Sequence, residues 1–284
     1  MSPQIEALRA ELERSYALAF DDSQHVVTLY ASHDDALSSL REHALQGEDL
    51  ATGRTASKLH LDIRFTGSVD AIRALNEGRC VMAGFHTLLG AGKKTLTERS
   101  YKPLLQPGQH KIIGFAQRTQ GLMVAKNNPL HLRSLQDVAL HRARFANRTL
   151  GSGTRVVLDE LLAQAGLQAT ELMGYEHTEP SHAAVAQAVA SGQCDAGMGI
   201  AAAAQHAGLD FVSLAEERYH LVCLKSALAQ PGIEALLQIL QTPQWLSQIN
   251  KIPGYSARQS GEILPMRQVL PWWDYRRKKE TTVT

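Results

Sequence analysis

Apolar residues follow two periods along this chain, and their alternation predicts strand and helix in turn. Near the start, Ile5, Leu8, Leu12 and Tyr16 recur at three- and four-residue steps among charged neighbours, which predicts an amphipathic helix over 3–20. After it, 26–30 reads as a strand and 35–45 as a helix. The pair repeats as strand 61–65 and helix 69–76, with a further strand over 80–85. The same grammar restarts later: strand 121–126, short helix 134–138, strand 143–147 and a helix over 156–165, where Val157, Leu158, Leu161 and Leu162 share one face. Gly166 stands where a helix-ending glycine belongs. Helix 183–190 and strand 194–200 complete the second series. Alternating units of this kind imply an α/β protein built on mostly parallel sheets.

The two series predict two lobes. An internal echo supports them: Leu75-Asn76-Glu77-Gly78-Arg79-Cys80-Val81-Met82-Ala83-Gly84 matches Val189-Ala190-Ser191-Gly192-Gln193-Cys194-Asp195-Ala196-Gly197 as helix, glycine, cysteine-bearing strand and Ala-Gly. Two long extended runs, 112–126 and 211–224, bracket the second series and are placed to cross between lobes near 113–118 and 214–220. Helices 233–240 and 243–250 would return to the first lobe. The expected division is therefore an N-terminal helix over 1–25, lobe I from 26–114 and 221–264, lobe II from 115–220, and a C-terminal tail over 265–284. The first helix is a packing arm or the contact of a homodimer.

The chain has 284 residues, 44% of them hydrophobic, enough for a substantial core. Its formal net charge of +1 sets up no global field for nucleic acid or an acidic membrane, so charge recognition must be local. No stretch approaches the roughly 18 apolar residues of a membrane span, and the first residues lack the apolar core of a leader. The expected location is the cytoplasm. Cys80, Cys194 and Cys223 are an odd set without zinc-type pairing and suit reduced thiols. Trp272, Trp273 and Tyr275 precede Arg276, Arg277, Lys278 and Lys279. That mixture can contact nucleic acid, but at a chain end it reads first as a solvated terminus.

In open α/β sheets ligands bind beyond the carboxyl ends of the strands, so the turns there carry the chemistry. Three share one character. Ser32 and His33 follow the first strand, Thr66 and Ser68 follow the second, and Gly151-Ser152-Gly153-Thr154-Arg155 joins strand 143–147 to the next helix. Hydroxyls and helix N-terminal N–H groups there would converge on a small anion, with Arg148 or Arg155 supplying charge. Each turn alone is equally a capped helix start. His86 is either a ligand contact or a strand-end residue.

Catalytic signatures are missing. Ser32, His33 and Asp34 are adjacent and diverge, so they form no triad. The glycine-rich turn lacks the endings of a nucleophile elbow, a Walker loop and a dinucleotide fingerprint. Twelve histidines show no metal-ligand spacing; His177 and His182 lie five apart across Pro180. Neither catalytic residue, metal nor cofactor is expected. An enzyme on this architecture would need a base, for which His33, His86 and Glu179 are the candidates.

Taken in order, Ala31-Ser32-His33-Asp34, Ala83-Gly84-Phe85-His86, Phe145-Ala146-Asn147-Arg148, Gly151-Ser152-Gly153-Thr154-Arg155, Gly174-Tyr175-Glu176, the stretch 183–199, and Leu209-Asp210-Phe211 through Ala215-Glu216-Glu217-Arg218-Tyr219 resemble the periplasmic-binding-protein-like domain of bacterial cytoplasmic regulators. That domain is also found fused to molybdopterin-biosynthesis proteins. The resemblance spans about 26–264 and implies a type II two-lobed fold, a cleft and a small ligand, with molybdate or tungstate the usual suspicion. The family often carries a helix-turn-helix ahead of this domain, for which 25 residues are too few, so direct nucleic-acid binding is not expected. The reading is a cytoplasmic sensor that binds a tetrahedral oxyanion through Ser32, His33, Thr66, Ser68, His86, Arg148, Ser152, Gly153, Thr154 and Arg155. The alternatives are a biosynthetic enzyme on the same fold, or a ligand-responsive transcriptional regulator without its usual DNA-binding domain.

Overall fold

Strand β1 (Val26–Ala31) alternates half-buried and buried residues: Val27, Leu29 and Ala31 enter one core, while Tyr30 on the other face is half-buried against the cluster of Ala71 and Ile72. The computed structural model to which it belongs describes residues 26–46, 59–90 and 95–273, so the expected N-terminal helix and Arg276 to Lys279 lie outside the described residues. After β1 come α1 (Asp35–Gln46), β2 (His60–Phe65), α2 (Ser68–Asn76), β3 (Met82–Leu88) and α3 (Leu96–Tyr101). A 15-residue strand, β4 (His110–Val124), leads into the second series. That series runs α4 (Leu135–Leu140), β5 (Phe145–Arg148), α5 (Gly153–Ala165), β6 (Thr178–Glu179), α6 (His182–Ala190), β7 (Ala196–Ile200) and α7 (Ala201–His206). A second 15-residue strand, β8 (Asp210–Leu224), returns. The chain then forms α8 (Pro231–Ile239), α9 (Pro243–Asn250), β9 (Tyr255–Ser256), β10 (Ile263–Leu264) and α10 (Met266–Val269).

Among the described residues the strands join in the order β2-β1-β3-β8-β4-β7-β5-β6, with β9 and β10 added to β4. Pairing is parallel within β2-β1-β3 and within β7-β5-β6, and antiparallel where β8 and β4 run down the middle. Read outward from that central pair, each half repeats one topology: third strand, first strand, second strand. The sequence echo is this repeat. Gly78 and Gly192 both take positive φ, and the buried Cys80 and Cys194 open the approach to β3 and β7, the third strand of each half.

Strands β4 and β8 pair along their whole length, from His110 opposite Leu224 to Val124 opposite Asp210. Their register slips twice, between Gly114 and Ala116 and between Gln120 and Gly121. Such bulges sharpen the local twist and re-aim side chains. The stretch between them carries Arg118 and Gln120 from β4 opposite Glu217 and Ala215 of β8.

Helices α8 and α9 pack on the β1 side of the sheet, where Leu236, Trp245 and Ile249 share one core with Val27, Leu29 and Phe115. Thr242 caps α9 by accepting from the Trp245 N–H. One expectation needs correction. The segment from Pro265 is not a loose tail as far as Trp273: Leu270 and Trp272 are buried with Phe85, Tyr101 and Leu105, and the Lys102 ammonium lies 5.8 Å from the Trp273 ring centre. Burying two large apolar side chains outweighs the freedom of a short terminal segment. Among the described residues no helix is long and apolar enough to cross a membrane.

Candidate functional site

The turns that open α1, α2 and α5 meet. Ser32, just past β1, lies with its Oγ 3.1 Å from the Oγ of Ser68, the first residue of α2. From the other half, the Gly153 N–H points at the Ser32 Oγ across 3.5 Å. Glycine is required for this approach. A Cβ on Gly67 would fall 2.6 Å from the Gly151 carbonyl oxygen, and one on Gly153 would strike the His86 ring. Gly151 itself turns the chain at φ +82°. Ser152 caps α5 by accepting from the Arg155 N–H at 3.2 Å, which leaves its own hydroxyl hydrogen to donate elsewhere. A second tie between the halves runs from the Leu96 N–H of α3 to Glu160 of α5 at 2.7 Å.

Beneath these turns lies a buried charged web that the sequence did not disclose. Arg118 of β4 forms ion pairs with Asp34, at the start of α1, and with Glu217 of β8. Tyr255 donates to Asp34 at 2.7 Å, and the Arg118 guanidinium approaches His86 Nδ1 at 3.3 Å. Gln120 donates to Thr154 Oγ1 at 3.1 Å and to Glu217 at 3.0 Å, and His182 Nε2 sits 3.4 Å from the same Thr154 hydroxyl. All these side chains are almost completely buried.

Burial works against the charged form of Glu217, but Arg118 beside it holds the carboxyl down to about 2. His86 and His182 are pushed below the ordinary histidine range, first by burial and then by Arg118 and Arg148 respectively, so both imidazoles are neutral. His86 Nδ1 faces both the Arg118 guanidinium, at 3.3 Å, and Glu217 Oε1, at 3.4 Å, while Nε2 has no partner.

Arg148 stands at the end of β5, beside this web. Its Nη2 donates to the Pro180 carbonyl at 3.1 Å, but Nε and Nη1 have no partner although the side chain is enclosed. Burial, reinforced by Arg118, lowers it to about 10. A buried cation with two unused donors is costly unless an anion meets it.

The sequence-derived site residues thus divide. Ser32, Ser68, His86, Arg148, Ser152, Gly153 and Thr154 come together at the closed edge of the two halves. Thr66 is half-buried, its N–H donating to the Ala31 carbonyl at 2.8 Å, and the half-buried His33 ring rests 4.6 Å from Phe65. Arg155 points away: its guanidinium stacks 3.8 Å over Tyr175 and contacts Asp159 at 3.3 Å, so of the two arginines considered, Arg148 keeps free donors. His86 is not a strand-end residue either, since β3 continues to Leu88. Glu179 lies apart, 3.0 Å from His177.

Two α/β halves of matching topology, closing over a polar centre and joined by two long strands, define the two-lobed type II binding-protein fold. The chain belongs to the PBP superfamily, whose domain matches residues 51–241. The uncharacterized protein YvgK of Bacillus subtilis (strain 168) is 29% identical over 230 residues, which cover 81% of this chain and 70% of that protein. Among solved structures, the tungstate ABC transporter from Geobacter sulfurreducens superposes with a TM-score of 0.58 at 13% identity, covering 81% of this chain and 99% of that one. A phosphate ABC transporter substrate-binding protein from Clostridium perfringens, with phosphate bound, gives 0.57 at 14% identity, covering 81% and 98%. These likenesses establish the fold.

Proposed function

We propose that this protein binds a small tetrahedral oxyanion between its lobes and signals by the closure that binding drives, working in the cytoplasm as a sensor without chemistry of its own. The observation that carries the reading is Arg148: an enclosed guanidinium with two unpartnered N–H groups, beside hydroxyls and N–H groups from three converging turns. Ser32, Ser68, Ser152 and Thr154 donate from their side chains, and the start of α5 adds backbone N–H groups and the positive end of its dipole. His86 adds Nε2, a buried ring nitrogen without a partner. The solved relatives of this fold that hold phosphate or transport tungstate make oxyanions the first ligands to try.

Calorimetric titration with molybdate, tungstate, sulfate, phosphate and arsenate tests the reading. Saturable binding by at least one of them, abolished or strongly weakened in Arg148→Ala, is the expected result. Silence with every oxyanion, alongside binding of an uncharged metabolite, would end it.

A further inference from the structure

The first N–H groups of a helix have no acceptor within it, so α3 must find acceptors elsewhere. Thr95 supplies one, its hydroxyl oxygen accepting from the Glu98 N–H. The Leu96 N–H is met from the other half of the molecule, by the Glu160 carboxylate of α5 at 2.7 Å. Glu160 is almost completely buried and forms no ion pair among the described residues; its other hydrogen bond, from Gln164, is long at 3.4 Å. The main partner of this enclosed carboxylate therefore belongs to the opposite half.

Both ends of the bond are fixed in their own half. Glu160 lies two turns along the helix whose first residue, Gly153, points its N–H at Ser32. At the far end of α3, Tyr101 is enclosed 5.4 Å from the Phe85 ring and shares a core with Trp272. Closing the halves brings the Leu96 N–H and Glu160 together, and opening returns both to water. Without the carboxylate the open form loses nothing, since water meets the N–H. The closed form is left with a stranded buried donor.

Resting on the closure reading above, we infer that Glu160 is the latch of the cleft: a positioning residue that does not touch the anion but sets the balance between closed and open forms. A site assembled only in the closed form binds with an apparent affinity scaled by the closed fraction, so the latch also tunes how tightly the anion is held.

The experiment measures the distance between spin labels on Arg73→Cys of α2 and Ala163→Cys of α5, in the full chain, alone and with molybdate or phosphate. Both positions are exposed and the native cysteines are buried, so the labels go where they are wanted. Glu160→Gln keeps a side chain of the same length with an oxygen that accepts; Glu160→Met fills a similar space without one. Glu160→Gln should keep the closed-to-open ratio within about threefold of wild type, and Glu160→Met should lower it at least tenfold, with anion affinity falling alongside. Leu96→Pro removes the donor from the other side. Proline suits the first position of a helix, and Thr95 before it is extended, at φ −84° and ψ 163°. It should open the cleft as Glu160→Met does, and the two changes together should open it no further than either alone.

A Glu160→Met ratio within threefold of wild type, full additivity with Leu96→Pro, or a wild-type chain that never closes overturns the latch. Should Glu160→Met fail to fold, the comparison of Leu96→Pro with wild type decides by the same limits. If the ratios change as expected while neither anion binds, the latch stands and it is the oxyanion reading that falls.

Discussion

Gly67 and Gly151 touch across the interlobe boundary so closely that neither half can come nearer: a Cβ on the first would lie 2.6 Å from the carbonyl oxygen of the second. Gly67 has φ −64°, a conformation alanine also adopts. Gly67→Ala should therefore leave each lobe folded but hold the lobes apart. We expect an unfolding midpoint close to wild type and anion affinity reduced tenfold or more. Wild-type affinity in calorimetry would mean that the turns part without cost.

Arg148 and Arg155 should separate binding from folding. Arg148→Ala removes unpaired donors, so affinity should drop by about 1.5–3 kcal/mol, the worth of hydrogen bonds to a charged group, with little loss of stability. Arg155→Ala loses the Tyr175 and Asp159 contacts and should lower stability with a smaller effect on binding. Urea melts and titrations on both proteins decide the assignment. A larger binding loss in Arg155→Ala would reverse it.

Replacing Arg118 by methionine strips two buried carboxylates of their shared cation. The expected loss is about 3–5 kcal/mol, measured by denaturant unfolding. A change below 1 kcal/mol would show that the web is hydrated rather than buried.

Acid should weaken the protein earlier than its carboxylates alone predict. His220 is held down to about 3, first by burial and then by Arg218, and His86 and His182 are lowered as well. In the unfolded chain all three take up protons from about pH 6.5 downward while the folded protein resists. Stability is thus full above that pH and declines below it, by up to about 1.4 kcal/mol per pH unit for each histidine. Glu217, lowered to about 2, works in a more acidic window: its contribution is present above the ordinary 4.5 and lost as pH falls from there towards 2. Urea midpoints between pH 4 and 8 should slope accordingly and flatten in His220→Gln. An identical slope in that variant would rule His220 out as a source.

Trp272→Ala should cost about 3–5 kcal/mol, as for other buried tryptophans, because the indole is enclosed beside Phe85 and Tyr101. A loss within 0.5 kcal/mol would restore the view of this segment as a loose tail.

The strand–helix grammar and the hydroxyl-bearing turns were legible because both are local: period, glycine placement and capping residues act within a few positions. The Gly78-Cys80 and Gly192-Cys194 echo likewise marked equivalent corners of the two halves. Arg118, Gln120, Glu217 and His182 were not found. Arg118 and Glu217 are 99 positions apart and become neighbours only through the register of β4 and β8. Their one local signal was the placing of ionisable residues inside long extended runs. His182 was judged only as a metal ligand, and its place at the first turn of α6, facing Thr154, depends on tertiary packing. The choice between Arg148 and Arg155 also needed Tyr175, 20 positions further on.

Val124 and Asp210 face each other on β4 and β8, and Lys126 is tied to Asp210 at 2.8 Å. The 85 intervening residues therefore leave and re-enter the central pair at one point, like a guest inserted into a host. A chain so arranged tolerates new ends far from the old ones. A fluorescent domain inserted at that one point of exit and re-entry would sit where the second series joins the central pair, and its signal would follow movement between the halves.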